Sequence, residues 1–211
     1  MRFYASLLVS ILAVSVCFAM AAPKPSAVQF PQEWTLDVQY QPLQQITLRS
    51  GDNGKTVRYW YLILTVTNNT GQDVEFYPEC EMMTDTFEII PAGKSVPPEV
   101  FEEIKRMYQN MYPFLEPLDT SGMRILQGQD NTRDIAIIWP DFDIKAKEVS
   151  IFIGGLSNET AVLEYPATEE GGEPTKVFLR KTLELDYKFS GDPAFRSNPN
   201  MTFAGASWVM R

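Results

Sequence analysis

The chain has no histidine at all. Ser-His-Asp and Cys-His machinery is therefore impossible, because the base is missing. A His-ligated zinc or copper centre is excluded for the same reason. Cysteine is almost as scarce: Cys17 and Cys80 are the only two. Positive charge is short as well, with 18 Lys and Arg against 27 Asp and Glu and a formal net charge of −9. Such a surface is repelled by nucleic-acid phosphates, so no nucleic-acid partner is expected. There is also no polybasic stretch to hold an anionic bilayer.

At its start the sequence reads as an export signal. Arg2 supplies a short positive region, residues 3–18 carry no charge and are rich in Leu, Val, Ile and Ala, and Ala19-Met20-Ala21 is a small-x-small cleavage pattern. An uncleaved anchor fits less well, because a bilayer span needs about 20 apolar residues. A lipoprotein reading would use Cys17, but Val16 is larger than the residue that processing prefers at that position. The expectation is cleavage after Ala21, export to the periplasm or beyond the cell, and no stable membrane insertion afterwards. The remainder suits one domain with a sizeable core. Cys80 is then alone and can form no internal disulfide, and it reads more readily as a small buried hydrophobe than as a reactive thiol.

Residues 22–32 hold three prolines and read as an extended leader, with a single domain over 33–211. Trp34, Leu36, Val38 and Tyr40 alternate with polar residues, the period of a half-buried strand. Residues 44–49 form a second segment, and Ser50-Gly51-Asp52-Asn53-Gly54 is dense turn chemistry. Residues 55–67 are the strongest strand, with Trp60, Leu62, Leu64 and Val66 on one side and Tyr59, Tyr61, Ile63 and Thr65 on the other. The turn at 68–71 predicts a hairpin into 73–77. Further strands are expected at 86–90, 123–126, 134–139, 148–153, 161–165, 176–189 and 207–211, with a mobile acidic tip at 167–175 and a polar loop at 191–199.

One helix is expected, over about 98–112. Pro97 and Pro98 suit its start, and Val100, Phe101, Ile104, Met107, Tyr108 and Met111 recur at helical spacing. Glu99, Glu102 and Glu103 come early, Lys105 and Arg106 late, and Pro113 follows. Many short strands without regular intervening helices predict a mostly β protein, an immunoglobulin-like antiparallel β-sandwich with one inserted α-helix.

The run from Tyr61 through Thr67-Asn68-Asn69-Thr70-Gly71 to Val74 resembles a pattern in exported bacterial immunoglobulin-like domains. The order of Gly128-Gln129-Asp130-Asn131, Phe152-Ile153-Gly154-Gly155-Leu156 and the Leu179 to Tyr187 run resembles a group of uncharacterised exported bacterial proteins. The resemblance implies a fold and no activity. The helix departs from a plain immunoglobulin-like sandwich, and the Cys…Trp…Cys hallmark is missing.

Candidate sites are few. Glu79-Cys80-Glu81-Met82-Met83 offers a thiol and two thioethers, soft ligands of the kind that hold Cu(I). In a strand, however, Cys80 and Met82 share one side and Met83 takes the other, so ordinary core packing is the better reading. Asp141-Phe142-Asp143, Asp52-Asn53 and Asp130-Asn131 offer oxygen ligands but match no calcium loop. Asn68, Asn158 and Asn200 begin Asn-x-Thr triplets that read as turn residues. Trp60, Tyr59, Tyr61, Trp139 and Tyr40 could form an aromatic platform, though large strand aromatics are usually core.

The sequence therefore points to a non-enzymatic cell-envelope protein, a structural or binding module without catalytic, cofactor or metal residues, whose partner is an envelope protein or glycan. The alternatives are a carboxylate-based hydrolase of envelope glycans, which needs two converging acids, and a soft-metal (copper) carrier using Cys80, Met82 and Met83.

Overall fold

The computed structural model describes residues 25–28, 32–50, 54–119, 123–166, 173–191 and 200–211. The expected signal segment 1–21 lies outside the described residues, as do Asp52, Asn53, 167–172 and 192–199.

In chain order the strands are β1 (Ser26–Val28), β2 (Asp37–Tyr40), β3 (Gln44–Ser50), β4 (Lys55–Asn68), β5 (Val74–Phe76), β6 (Glu79–Thr84) and β7 (Ile89–Pro91). Helix α1 (Pro98–Tyr108) follows. Then come β8 (Glu116–Pro117), β9 (Met123–Ile125), β10 (Gly128–Pro140), β11 (Glu148–Gly154), β12 (Thr160–Tyr165), β13 (Thr175–Phe189) and β14 (Met201–Met210). The protein is mostly β, and every strand pair except β8 with β10 is antiparallel.

The larger, seven-stranded sheet is built on β13. Strands β11 and β12 lie end to end along one edge of it, and β14 runs along the other. Beyond β11 come β6 and β7, and beyond β12 comes β1. The five-stranded sheet is built on β4, with β2 and β3 on one edge and β10 on the other, and β8 outside β10. Residues 22–32 are thus more than a leader: Ser26–Val28 pairs into the larger sheet.

Strand β4 is buried on both faces because each has its own cover. Trp60, Leu62, Leu64 and Val66 pack between the sheets with Ile151, Ile153, Leu185 and Tyr187. Tyr59, Tyr61 and Ile63 face the other way and meet Val100 and Ile104 of α1. The layers are larger sheet, smaller sheet, helix. Each fully buried Leu or Ile contributes roughly 1.5–3 kcal/mol of transfer free energy.

Three expectations are corrected. The chain does not return from β4 in a hairpin, because both edges of β4 are taken; β5 pairs with β9 instead. Asn68 makes that departure possible. Its amide donates to the carbonyls of Gln72 and Ile125, each at 2.8 Å, while its oxygen accepts from the Thr70 amide and hydroxyl. The strand expected at 86–90 is displaced, with β6 at Glu79–Thr84 and β7 at Ile89–Pro91. The helix stops at Tyr108, and Met111, 65% exposed, lies beyond its buried stripe.

Candidate functional site

The residues singled out from sequence do not converge. Cys80 and Met82 point into the core between the sheets, and Met83 lies on the opposite side of β6. Burial, with a smaller push from the Glu79 charge, raises the Cys80 thiol well above its ordinary range. Cys80 is thus held as a protonated core side chain. Trp60, Trp139, Tyr59 and Tyr61 are buried, and Tyr40 packs against the core, so these five form no surface platform.

The acidic pairs have structural partners. Asp141 accepts the Trp60 indole N–H at 2.8 Å and faces Arg58 at 3.9 Å, while Phe142 between the two acids is buried against the Trp60 and Phe189 rings. Asp143 accepts from the Lys145 amide at 2.9 Å. Asn131 donates to the Gln127 carbonyl at the exposed, irregular start of β10. Asn158 accepts the Trp34 amide at 2.7 Å.

An arrangement with room for a ligand lies elsewhere, at the start of α1. A cleft of about 770 Å³ opens there, within the size range of small-molecule sites. Ala136 and Ile138 of β10 form its floor, continuous with the core beneath the helix. One wall is the corner between β5 and β6: Tyr77, Pro78 and Glu79. The turn after β7 supplies Ala92, Gly93, Lys94 and Val96, and α1 supplies Pro97, Pro98, Phe101 and Glu102. Pro117, Leu118 and Asp119 close the far side.

Local rules explain these walls. Gly93 takes φ +75°, and its amide reaches the Ile138 carbonyl at 2.8 Å, holding the turn against the floor. Pro98 at the first helical position starts α1 where an amide would have no partner anyway. Tyr77 stands at the rim and is 60% exposed, a large aromatic left in solvent. Phe101 is half-buried, with the Lys105 ammonium over its ring at 5.6 Å.

The rim is electrostatically one-sided. Glu79, Glu102 and Asp119 line the cleft together with one cation, Lys94. None of these four takes part in an ion pair among the described residues. Apolar walls with uncompensated carboxylates suit a ligand carrying both apolar surface and positive charge.

In the sequence, Glu79, Pro97, Pro98, Phe101 and Glu102 carry strand or helix signals, and nothing in their spacing joins them into one cleft. The remaining signal is a recurrence of proline at the ends of short elements, at Pro78, Pro97, Pro98 and Pro117, which no periodicity argument detects. No protein-family model, curated protein or solved structure matches the chain.

Proposed function

We propose that this chain is an exported, non-enzymatic binding module of the bacterial cell envelope, and that the cleft at the start of α1 holds a basic, partly apolar peptide segment of another envelope protein. The carrying observation is the cleft's composition: apolar floor and proline walls, an exposed Tyr77, and three rim carboxylates against one lysine. An extended, proline-containing peptide suits an aromatic and proline-lined groove, because little conformational entropy is lost on docking. A neutral or anionic glycan would leave the rim charges uncompensated. Export rests on Arg2, the uncharged stretch and Ala19-Met20-Ala21, and the immunoglobulin-like reading rests on the resemblance around residues 61–74.

The hydrolase reading keeps one point in its favour, since Glu79, Glu102 and Asp119 share a cleft. The soft-metal reading loses its motive with Cys80 and Met82 committed to the core. Titration calorimetry with an Arg-Pro-rich peptide, beside a reducing-end assay on purified peptidoglycan, separates the two. Salt-sensitive peptide binding without sugar release supports the module. Sugar release that Glu79→Gln or Glu102→Gln abolishes would replace it with the hydrolase.

A further inference from the structure

Strand β14 occupies an edge of the larger sheet, and among the described residues only β13 pairs with it. The other outermost strands of that sheet, β1 and β7, are three residues long, and β7 ends at Pro91. Short length, proline and charge are the usual protections of an edge. The ten residues of β14 read Met-Thr-Phe-Ala-Gly-Ala-Ser-Trp-Val-Met and have none of them. Phe203 is 47% and Trp208 39% exposed along this edge.

The ladder fixes which peptide groups are free. Arg180 and Arg211 exchange both backbone hydrogen bonds, at 2.7 and 3.0 Å. Bonded and non-bonded pairs alternate in an antiparallel ladder, so Val209, Ser207 and Gly205 direct their peptide groups at β13. The register slips between Asp186 and Tyr187, leaving Ala204 as the extra residue of a bulge, and beyond it Thr202 takes the inward role. The outward N–H and C=O groups then belong to Met201, Phe203, Ala206, Trp208 and Met210. Four of these five sit opposite Phe189, Tyr187, Leu185 and Leu183, so their side chains lie on the core-facing side of the sheet.

We propose that β14 pairs antiparallel with β14 of a second copy of this chain, about a two-fold axis at Ala206. The strand is close to a palindrome of side-chain size, and the bulge makes the palindrome work. Without it, a two-fold axis at Ala206 would set Ala204 opposite Trp208 and Thr202 opposite Met210. With it, Phe203 meets the partner's Trp208, Met201 meets the partner's Met210, and Ala206 meets its own counterpart. Every outward peptide group finds a partner, and each aromatic gains a cross-strand aromatic neighbour. The interface is isologous and closes at two copies. Charge does not oppose it, although the chain as a whole is acidic: the strand carries none. Lys181, bonded to Glu159, lies over the Trp208 ring at 5.2 Å, and Arg211 is paired with Glu81 at 2.8 Å.

Sedimentation equilibrium of the purified protein across the micromolar range tests this. The expected mass is twice that of one chain. Ala206→Pro removes an outward N–H that β13 does not use, a position where an edge strand tolerates proline. Trp208→Lys adds the missing edge charge. Both should sediment as monomers with unchanged far-UV circular dichroism. Ala206→Cys tests the register. Bonded antiparallel partners lie about 5.5 Å apart at Cα, within disulfide range. Mild oxidation should therefore link the variant to its counterpart, while buried Cys80 stays silent. A monomeric wild type, a dimer that survives both edge substitutions, or an Ala206→Cys dimer that does not cross-link would each overturn the proposal.

Discussion

A β-carbon placed on Gly155 would stand 2.3 Å from the carbonyl oxygen of Tyr77, far inside van der Waals contact. Gly155 also holds φ +82°, a backbone region that costs other residues roughly 1–2 kcal/mol. Gly155, directly after β11, therefore lets the Tyr77-Pro78 wall of the cleft sit against the end of that strand. Gly155→Ala should lose clearly more stability than Gly93→Ala, where φ is +75° but a β-carbon meets open space. Urea unfolding of the two variants measures the difference. Equal losses would mean that the close approach to Tyr77 contributes nothing.

Leu64 and Ile104 test the two cores separately. Leu64 lies between the sheets and Ile104 under the helix, both fully buried. Leu64→Ala and Ile104→Ala should each cost roughly 2–5 kcal/mol in denaturant unfolding. Met111→Ala, at an exposed site, should stay within about 0.5 kcal/mol. A loss below about 1 kcal/mol for Ile104→Ala would show that α1 is not a packed layer.

The Trp60–Asp141 bond gives a third prediction. Asp141→Ala leaves the Trp60 indole N–H without its acceptor beside a buried ring, at a cost of about 1–3 kcal/mol. Stability by urea titration should fall accordingly, and Asp141→Asn, which keeps an acceptor oxygen, should recover most of it.

Alkaline pH gives a fourth. Burial is the main reason that the Tyr187 phenol is pushed up to about 12 from an ordinary 10.0, and its oxygen accepts the Leu43 amide at 3.3 Å. The folded value lies above the unfolded one. The neutral phenol's contribution is therefore intact below pH 10 and is lost as pH rises from 10 toward 12, by about 2–3 kcal/mol. Thermal unfolding from pH 8 to 11 should show that decline, and Tyr187→Phe should make it shallower, leaving the share of the buried Tyr61 phenol, which burial also pushes up. An identical alkaline slope in the variant would contradict the assignment.

Much of the fold was legible because it rests on alternation. The two faces of β4 divide as Trp60, Leu62, Leu64, Val66 against Tyr59, Tyr61, Ile63, and a period of two reveals that division directly. Pairing was not legible where it depends on which edge is free. The Asn68 turn looks like a hairpin locally, and only the occupation of both β4 edges sends β5 to β9. The helix ends before 112 because Met111 continues the spacing but is exposed, while the buried positions of the helix are Val100 and Ile104. The cleft was invisible because its walls come from four separated segments, joined by a glycine approach and by prolines with no period. Cys80, by contrast, lies where its chemistry suggests, in the core.

The most direct test of the central claim is an amide chemical-shift map of the protein titrated with the Arg-Pro-rich peptide. The account predicts saturable shifts at 77–79, 93–102 and 117–119, with affinity at least tenfold weaker in Tyr77→Ala and Glu102→Lys while their melting temperatures stay close to wild type. No saturable shift, or shifts confined to residues away from α1 and the β5–β6 corner, would contradict it.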